Sequence, residues 1–267
     1  MGHRAKKSLG QHFLRSASAV RAIVASGKTT STDTVLEIGP GEGVLTVAIL
    51  ATGARVVALE KDADLIPILT ERFAQEITSG QLTLLHMDVL DFSPKTHGLK
   101  KGEYKLIANI PYYITGAIME QFLENEYPPS CIVVLIQKEV AQRAVSRDGK
   151  ESILSISVKA FGTPKITAKV PASAFRPAPK VDSAVLTIEN ISTLKFSENG
   201  ATPQEIRHFF SIVRAGFAHK RKLLIRNLEE VSEKDAIEKA FSTLQLSPLA
   251  RAETVPVEIW IELAKKL

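Results

Sequence analysis

Thr34-Val35-Leu36-Glu37-Ile38-Gly39-Pro40-Gly41-Glu42-Gly43-Val44-Leu45-Thr46-Val47-Ala48-Ile49-Leu50 decides the fold. Thr34 to Ile38 is a short apolar run of the strand type, the glycines make a turn, and Val44 to Leu50 continues as an apolar, helix-like run. Strand, glycine turn and helix in that order let backbone approach a nucleoside ligand closely, at a helix N-terminus with spare N–H groups. Working outward, Arg55 to Leu59 is a second apolar run and ends in Glu60, 21 residues beyond Gly39. That interval is near the roughly 20 residues at which an acid meets ribose hydroxyls in doubly wound sheets. Leu82 to Met87 ends in Asp88, a carboxylate able to accept an adenine amino group, and Tyr104 to Ala108 ends in Asn109. Successive strands thus deliver Gly39, Glu60, Asp88 and Asn109 at their carboxyl ends, where such sheets bind ligands.

Dehydrogenases share the first two of these features. The turn, however, reads G-x-G-x-G and lacks the G-x-G-x-x-G spacing that fits a pyrophosphate, and Glu42 sets a carboxylate near that anion. S-adenosylmethionine has no phosphate and carries a sulfonium cation, which an acidic turn tolerates. The sequence therefore favours a methyltransferase cofactor site over a dinucleotide site.

The tetrapeptide Asn109-Ile110-Pro111-Tyr112 suits one kind of nucleophile, a planar exocyclic amine. Adenine N6 is a poor nucleophile because its lone pair is delocalised into the ring, so a catalyst must accept both N6 hydrogens and favour a tetrahedral nitrogen. The Asn109 side-chain oxygen can accept one. The Ile110 carbonyl can accept the other if it is aimed, and Pro111 helps by fixing its own φ and keeping Ile110 out of helical dihedrals. Tyr112 can then stack on the base. Alone, the tetrapeptide fits a strand end and a Pro-initiated turn equally well; the glycine turn upstream favours the chemical reading.

Together with Lys6-Lys7-Ser8-Leu9-Gly10-Gln11-His12-Phe13-Leu14, Gln137-Lys138-Glu139-Val140-Ala141-Gln142-Arg143 and Ala174-Phe175-Arg176-Pro177-Ala178-Pro179-Lys180-Val181-Asp182-Ser183-Ala184-Val185, these motifs make the chain closely resemble the small-subunit (16S) ribosomal RNA adenine dimethyltransferases. The large-subunit (23S) rRNA adenine methyltransferases of the macrolide-resistance type share the glycine turn and the tetrapeptide. The Phe175 to Val185 segment looks more like the small-subunit group. The resemblance implies a Rossmann-like class I methyltransferase domain with a seven-stranded mixed sheet, followed by a small C-terminal helical domain that holds RNA. It implies that His12 and Leu14 contact S-adenosylmethionine with Gly39, Glu60, Asp88 and Asn109, Gln11 being a weaker candidate. It also implies that Phe175 and Tyr112 sandwich the target adenine, although the residues alone make Phe175 a core aromatic. Many relatives have Asn at His12, where a main-chain contact would survive the exchange. A third reading is a ribosome-assembly RNA-binding factor on the same fold without chemistry.

The chain has 267 residues, 45% of them hydrophobic, which bounds it at one to two domains. No apolar run approaches the roughly 18 residues that suggest a membrane span. The single cysteine, Cys131, begins an apolar run and reads as a buried, inert thiol. His3, His86, His97, His208 and His219 show no metal-ligand spacing. Residues 1 to 32 hold six Lys and Arg and no carboxylate, as a transit peptide would. If, as the resemblance implies, this segment contacts cofactor, it cannot be cleaved away, and cytoplasm is expected; the resemblance further implies a monomer acting on 16S rRNA in an immature small subunit. Net charge is +5 and the pI about 9.2. Arg207, Arg214, Lys220, Arg221, Lys222 and Arg226 lie in a stretch free of acids, and Arg221, Lys222 and Arg226 are expected to meet phosphates from one helix.

The expected divisions are a methyltransferase domain over 1 to 195 and a helical domain over 203 to 267, joined by the polar stretch Asn190 to Pro203. Residues 61 to 78 and 116 to 125 read as helices, Cys131 to Ile136 as a fifth strand, and Glu139 to Ser146 as a short helix leading to Arg147. The later runs Ile153 to Ala160, Lys165 to Val170 and Ser183 to Glu189 lack long helices between them and imply a closing antiparallel pair. Phe210, Val213 and Phe217 share a helical face that breaks near Gly216 to His219, and an acid-rich helix spans Ser232 to Leu244.

Overall fold

A computed structural model describes Lys6, residues 10 to 146 and residues 149 to 267. His3, Lys7, Ser8, Leu9 and Arg147, named above, lie outside the described residues. The elements run β1 (Phe13–Leu14), α1 (Ala17–Ser26), β2 (Thr34–Ile38), α2 (Val44–Leu50), β3 (Arg55–Glu60), α3 (Leu65–Arg72), α4 (Ala74–Thr78), β4 (Leu82–His86), β5 (Tyr104–Asn109), α5 (Thr115–Leu123), β6 (Cys131–Gln137), α6 (Lys138–Ala144), α7 (Ile153–Phe161), β7 (Thr163–Val170), β8 (Phe175–Arg176) and β9 (Ser183–Glu189). Four helices follow: α8 (Pro203–Phe217), α9 (Leu224–Leu228), α10 (Lys234–Thr243) and α11 (Val257–Lys266).

Seven strands form one mixed sheet in the order β4-β3-β2-β5-β6-β9-β7. The first five are parallel, and β9 runs antiparallel between β6 and β7, closing the sheet as expected. Both faces of the central strands are covered, so β2, β3, β5, β6 and β9 are largely apolar, whereas the edge strand β7 alternates. The two-residue period still sorts their side chains between two cores. Leu36, Ile38, Val57, Leu59, Leu106 and Ala108 enter one core with α5, α7 and the C-terminal helices. Val35, Val56, Ala58 and Ile107 enter the other, with Phe13, Leu14, Leu45 and Phe175. By the same period Glu37, Glu60 and Asn109 fall on the second face, on the side covered by the N-terminal segment.

Three local expectations change. Ile153–Phe161 is a helix, not an extended run: Ser152 and Ser155 form a capping box, and a run buried on most sides carries no periodicity to tell helix from strand. The helix expected over 61 to 78 starts at Leu65, because Asp62 turns the chain by accepting the Leu65 N–H at its carbonyl and the Asp64 N–H at its carboxylate. It breaks again at Phe73, whose dihedrals, φ −112° and ψ 28°, are not helical. Finally, Arg221 and Lys222 lie in the turn between α8 and α9, and only Arg226 is helical. Asn227 holds that turn, donating from Nδ2 to the carbonyls of Gly216 at 2.6 Å and His219 at 3.2 Å.

The core on the first face continues into α8 to α11. Phe161 stacks on Phe210 with ring centroids 5.5 Å apart and an interplanar angle of 3°. Phe196, from the polar connecting stretch, packs edge-on against Phe209 at 5.1 Å. No helix among the described residues is long and apolar enough to cross a membrane.

Candidate active site

A cavity opens at the carboxyl ends of β2, β3 and β5, under the N-terminal segment. Its walls include Gln11, His12, Leu14, Gly39, Glu60, Asp88, Asn109, Ile110, Pro111 and Tyr112. Every cofactor residue singled out from the sequence is therefore gathered at one place, although the segments are up to about a hundred residues apart in the chain.

The floor is the glycine turn. Gly39 sits at φ +66°, and a Cβ there would meet no atom within 4 Å, so the backbone is bare toward open space. Gly43 sits at φ +76°, and a Cβ there would lie 2.6 Å from the Phe73 ring. Only glycine satisfies both the left-handed dihedral and that packing. Glu60 orders the turn, because its Oε2 accepts the Gly41 N–H at 3.1 Å and its Oε1 accepts the Asp62 N–H at 2.8 Å. Burial raises the Glu60 pKa, against the pull of these backbone donors. Each oxygen keeps a further lone pair for ribose hydroxyls.

Asp88 receives the Leu90 N–H on Oδ1 at 3.1 Å and Lys61 Nζ on Oδ2 at 2.5 Å. Burial works to raise its pKa, but the Lys61 ammonium and the Leu90 N–H outweigh it and hold the carboxyl below its usual value. Lys61 had no role in the sequence reading; its place directly after Glu60 was the available signal.

The N-terminal segment is strapped across the cavity. Arg15 pairs with Glu42 at 2.6 Å, and Lys6 pairs with Asp62 at 2.5 Å and Asp64 at 2.6 Å. Gln11 Nε2 donates to Asp62 Oδ2 at 2.8 Å, which gives Gln11 a structural task. Leu14 pairs with Phe175 through the short β1–β8 ladder. The His12 Nδ1 lies 2.7 Å from the Pro177 carbonyl, which can only accept, so Nδ1 carries the hydrogen.

Asn109 Nδ2 donates to the His12 carbonyl at 3.1 Å. That bond sets the amide orientation and leaves Oδ1 without a partner among the described residues. Pro111 is extended, at φ −57° and ψ 134°, and the Ile110 carbonyl accepts no loop or cap hydrogen bond there. Asn109 and Ile110 both line the cavity. Tyr112 is braced by its hydroxyl on Ser183 Oγ at 2.7 Å. The ring parallel to it belongs to His12, with centroids 6.0 Å apart and 22° between planes. Phe175, expected from the resemblance as the second clamp face, is 5% exposed, packs in the core behind β1 and does not line the cavity. The two-strand ladder explains this placement, since it turns the Phe175 side chain inward beside Leu14.

One more cavity residue is Glu37, 1% exposed on β2. A charged residue inside the apolar run Val35 to Ile38 was a signal in the sequence that the motif reading passed over.

The basic residues of the C-terminal region are not all free. Arg214 reaches Glu120 at 3.0 Å and Glu124 at 3.3 Å, and Arg226 reaches Glu229 at 2.8 Å. Lys220, Arg221 and Lys222 are exposed with no acidic partner among the described residues.

A model of the ribosomal RNA adenine dimethylase family matches residues 2 to 267. The chain belongs to that family. Among curated proteins it is 39% identical to the ribosomal RNA small subunit methyltransferase A of Dehalococcoides mccartyi, over 97% of this chain and 87% of that one. It is 35% identical to the protein of the same name from Acaryochloris marina, over 98% and 96%. Among solved structures, a dimethyladenosine transferase from Plasmodium falciparum superposes with a TM-score of 0.76 at 23% identity, covering 94% of this chain and 96% of that one. The 23S rRNA methyltransferase ErmE gives 0.71 at 23% identity, over 96% and 99%. These two likenesses establish the fold of this family member, a Rossmann-like methyltransferase sheet.

Proposed function

We propose that this chain methylates N6 of adenines in small-subunit (16S) ribosomal RNA, using S-adenosylmethionine, and completes the dimethylated base in an immature subunit. It acts as a monomer in the cytoplasm, with residues 1 to 195 forming the catalytic part and 203 to 267 a helical RNA-holding part. The observation that carries the chemical reading is that Asn109, whose Oδ1 has no partner among the described residues, lines together with Ile110 a cavity floored by a bare glycine turn and a buried carboxylate. The residues fit the cofactor: Gly39 leaves room for a ligand, Glu60 can take ribose hydroxyls, Asp88 an adenine amine, and His12 and Leu14 close the cavity from above.

When bound, S-adenosylmethionine supplies a methyl group on a sulfonium, an electrophile that needs no further activation. The residues of the chain arrange the other reactant. Asn109 and Ile110 accept the two N6 hydrogens and bring the nitrogen lone pair into line, while Tyr112 stacks the extruded base. Held in line by Asn109 and Ile110, the N6 nitrogen would take the methyl group that the bound cofactor supplies, and the resulting ammonium would give its proton to water. Alignment of this kind is worth up to about 7 to 11 kcal/mol. His12, parallel to Tyr112, supports one side of the base site, and Phe175 backs it only indirectly, from the core behind Leu14.

Transfer of labelled methyl groups to small-subunit particles lacking the modification, with large-subunit RNA alongside, tests the reading. Methylation of adenines in the small-subunit RNA is expected. Methylation confined to large-subunit RNA would move the chain to the macrolide-resistance type, and cofactor binding with no transfer to either would favour an assembly factor. For the cofactor, Glu60→Ala is expected to weaken S-adenosylmethionine binding by about 1.5 to 3 kcal/mol, the worth of hydrogen bonds to a charged group. NAD is expected not to bind. Calorimetry giving unchanged affinity in a folded variant would remove Glu60 from the site.

A further inference from the structure

Glu37 is the one carboxylic acid of the cavity wall whose two oxygens have no hydrogen-bond partner, and it is 1% exposed. Isolated charge in such a place is strongly disfavoured. Among the described residues, the surrounding elements offer it no cation. On β3 the facing group is Glu60, and on α2 it is Thr46, a neutral hydroxyl close enough to oppose the effect of burial but outside hydrogen-bond geometry. β5 presents the neutral Asn109, and the N-terminal segment presents His12, tied to the Pro177 carbonyl. The described cations of the cavity wall and its strap are each committed elsewhere: Arg15 to Glu42 in the glycine turn, Lys61 to Asp88, and Lys6 to Asp62 and Asp64. Glu37 and Glu60 are thus two neighbouring carboxyl groups without a counter-charge among the described residues.

Building on the proposed use of S-adenosylmethionine, we infer that Glu37 is a proton-coupled counter-charge: neutral in the free protein, it releases its proton to solvent when a cationic ligand enters the cavity. The cavity then prefers the sulfonium cofactor to its neutral thioether product, S-adenosylhomocysteine. Burial holds the Glu37 pKa up at about 8, with Glu60 adding to the effect and Thr46 opposing it. The free acid is therefore mostly protonated at neutral pH. A fixed positive charge beside it favours the carboxylate and lowers that pKa. The charge balance is closed: one cation enters and one proton leaves. Product formation removes the sulfonium charge, so Glu37 takes a proton back and the product is held less tightly.

The sign of the pH dependence follows from linkage. A group that is protonated in the free protein and ionised in the complex makes affinity rise with pH, up to its pKa in the free protein, and level off above it. The ratio of the S-adenosylhomocysteine to the S-adenosylmethionine dissociation constant is expected to rise about tenfold between pH 6 and 8. Calorimetry on the unaltered chain at pH 6.5, in two buffers of different ionisation enthalpy, is expected to show more than half a proton released per S-adenosylmethionine and less per S-adenosylhomocysteine. At that pH the α-amino groups of both ligands, ordinarily near roughly 7.7 to 8.0, are already charged. Glu37→Gln is expected to abolish the proton release and flatten the ratio. A pH-independent ratio, no released proton, or release persisting in a folded Glu37→Gln protein overturns the inference. Failure of either ligand to bind at any pH overturns the functional proposal instead.

Discussion

Asn109→Ala is expected to lower single-turnover methylation by about 10²- to 10³-fold at saturating cofactor, the usual cost of losing one positioned hydrogen-bond partner of the reacting group. RNA affinity is expected to stay within a factor of a few, because the amide faces the cavity and the His12 carbonyl rather than any exposed basic surface. The fold is expected to survive, since Asn109 is half-buried at a strand end and its one described side-chain bond is to the N-terminal strap. That bond ties the strap over the cavity, so cofactor affinity is expected to weaken as well, which is why the measurement uses saturating cofactor. Near-normal single-turnover rates under those conditions would show that Asn109 Oδ1 does not position the amine. Tyr112→Ala is the companion variant, expected to lose about 1 to 3 kcal/mol of base stacking.

The second large effect concerns RNA. The turn between α8 and α9 presents Lys220, Arg221 and Lys222 side by side, exposed, and braced from below by Asn227. Changing the three to Glu is expected to weaken RNA binding by 100-fold or more at low salt and to lower the slope of log affinity against log salt by about two to three units, roughly one per phosphate contact. S-adenosylmethionine affinity is expected to be unchanged, because no residue beyond Ile114 lines the cavity. Arg226→Glu alone is expected to do less, since Arg226 is already engaged by Glu229 on its own helical surface. Titrations across several salt concentrations decide the matter. A folded triple variant with native affinity and slope would take the turn out of the RNA surface.

Much of the site was legible in the sequence because its parts are local. A strand followed by glycines must turn, an acid after an apolar run must stand at a strand end, and Pro111 must hold its own φ whatever surrounds it. Those constraints act within a few residues, so Gly39, Glu60, Asp88 and Asn109 could be named before their distances were known. That the first strands run parallel followed from the alternation of apolar runs and helices, but their order in the sheet did not. Ile153–Phe161 was not legible as a helix, because burial on most sides erases the period that separates helix from strand, leaving the Ser152 cap as the deciding feature.

The tertiary structure alone decided what each charge faces. A stretch without acids between Ile206 and Leu228 reads as uniformly basic, yet Glu120 and Glu124, far back in the chain, neutralise Arg214. Phe175 and His12 exchanged expected neighbours because a two-strand ladder turns one ring inward and leaves the other beside Tyr112. Glu37 stood out in its apolar run, but only the fold showed that β3, α2 and the described N-terminal strap close around it without supplying a cation. Covalent geometry and side-chain period are carried by neighbouring residues, so the sequence by itself determined the strand, turn and acid positions. Dielectric environment and pairing depend on which distant segments meet, and only the folded chain brings those segments together.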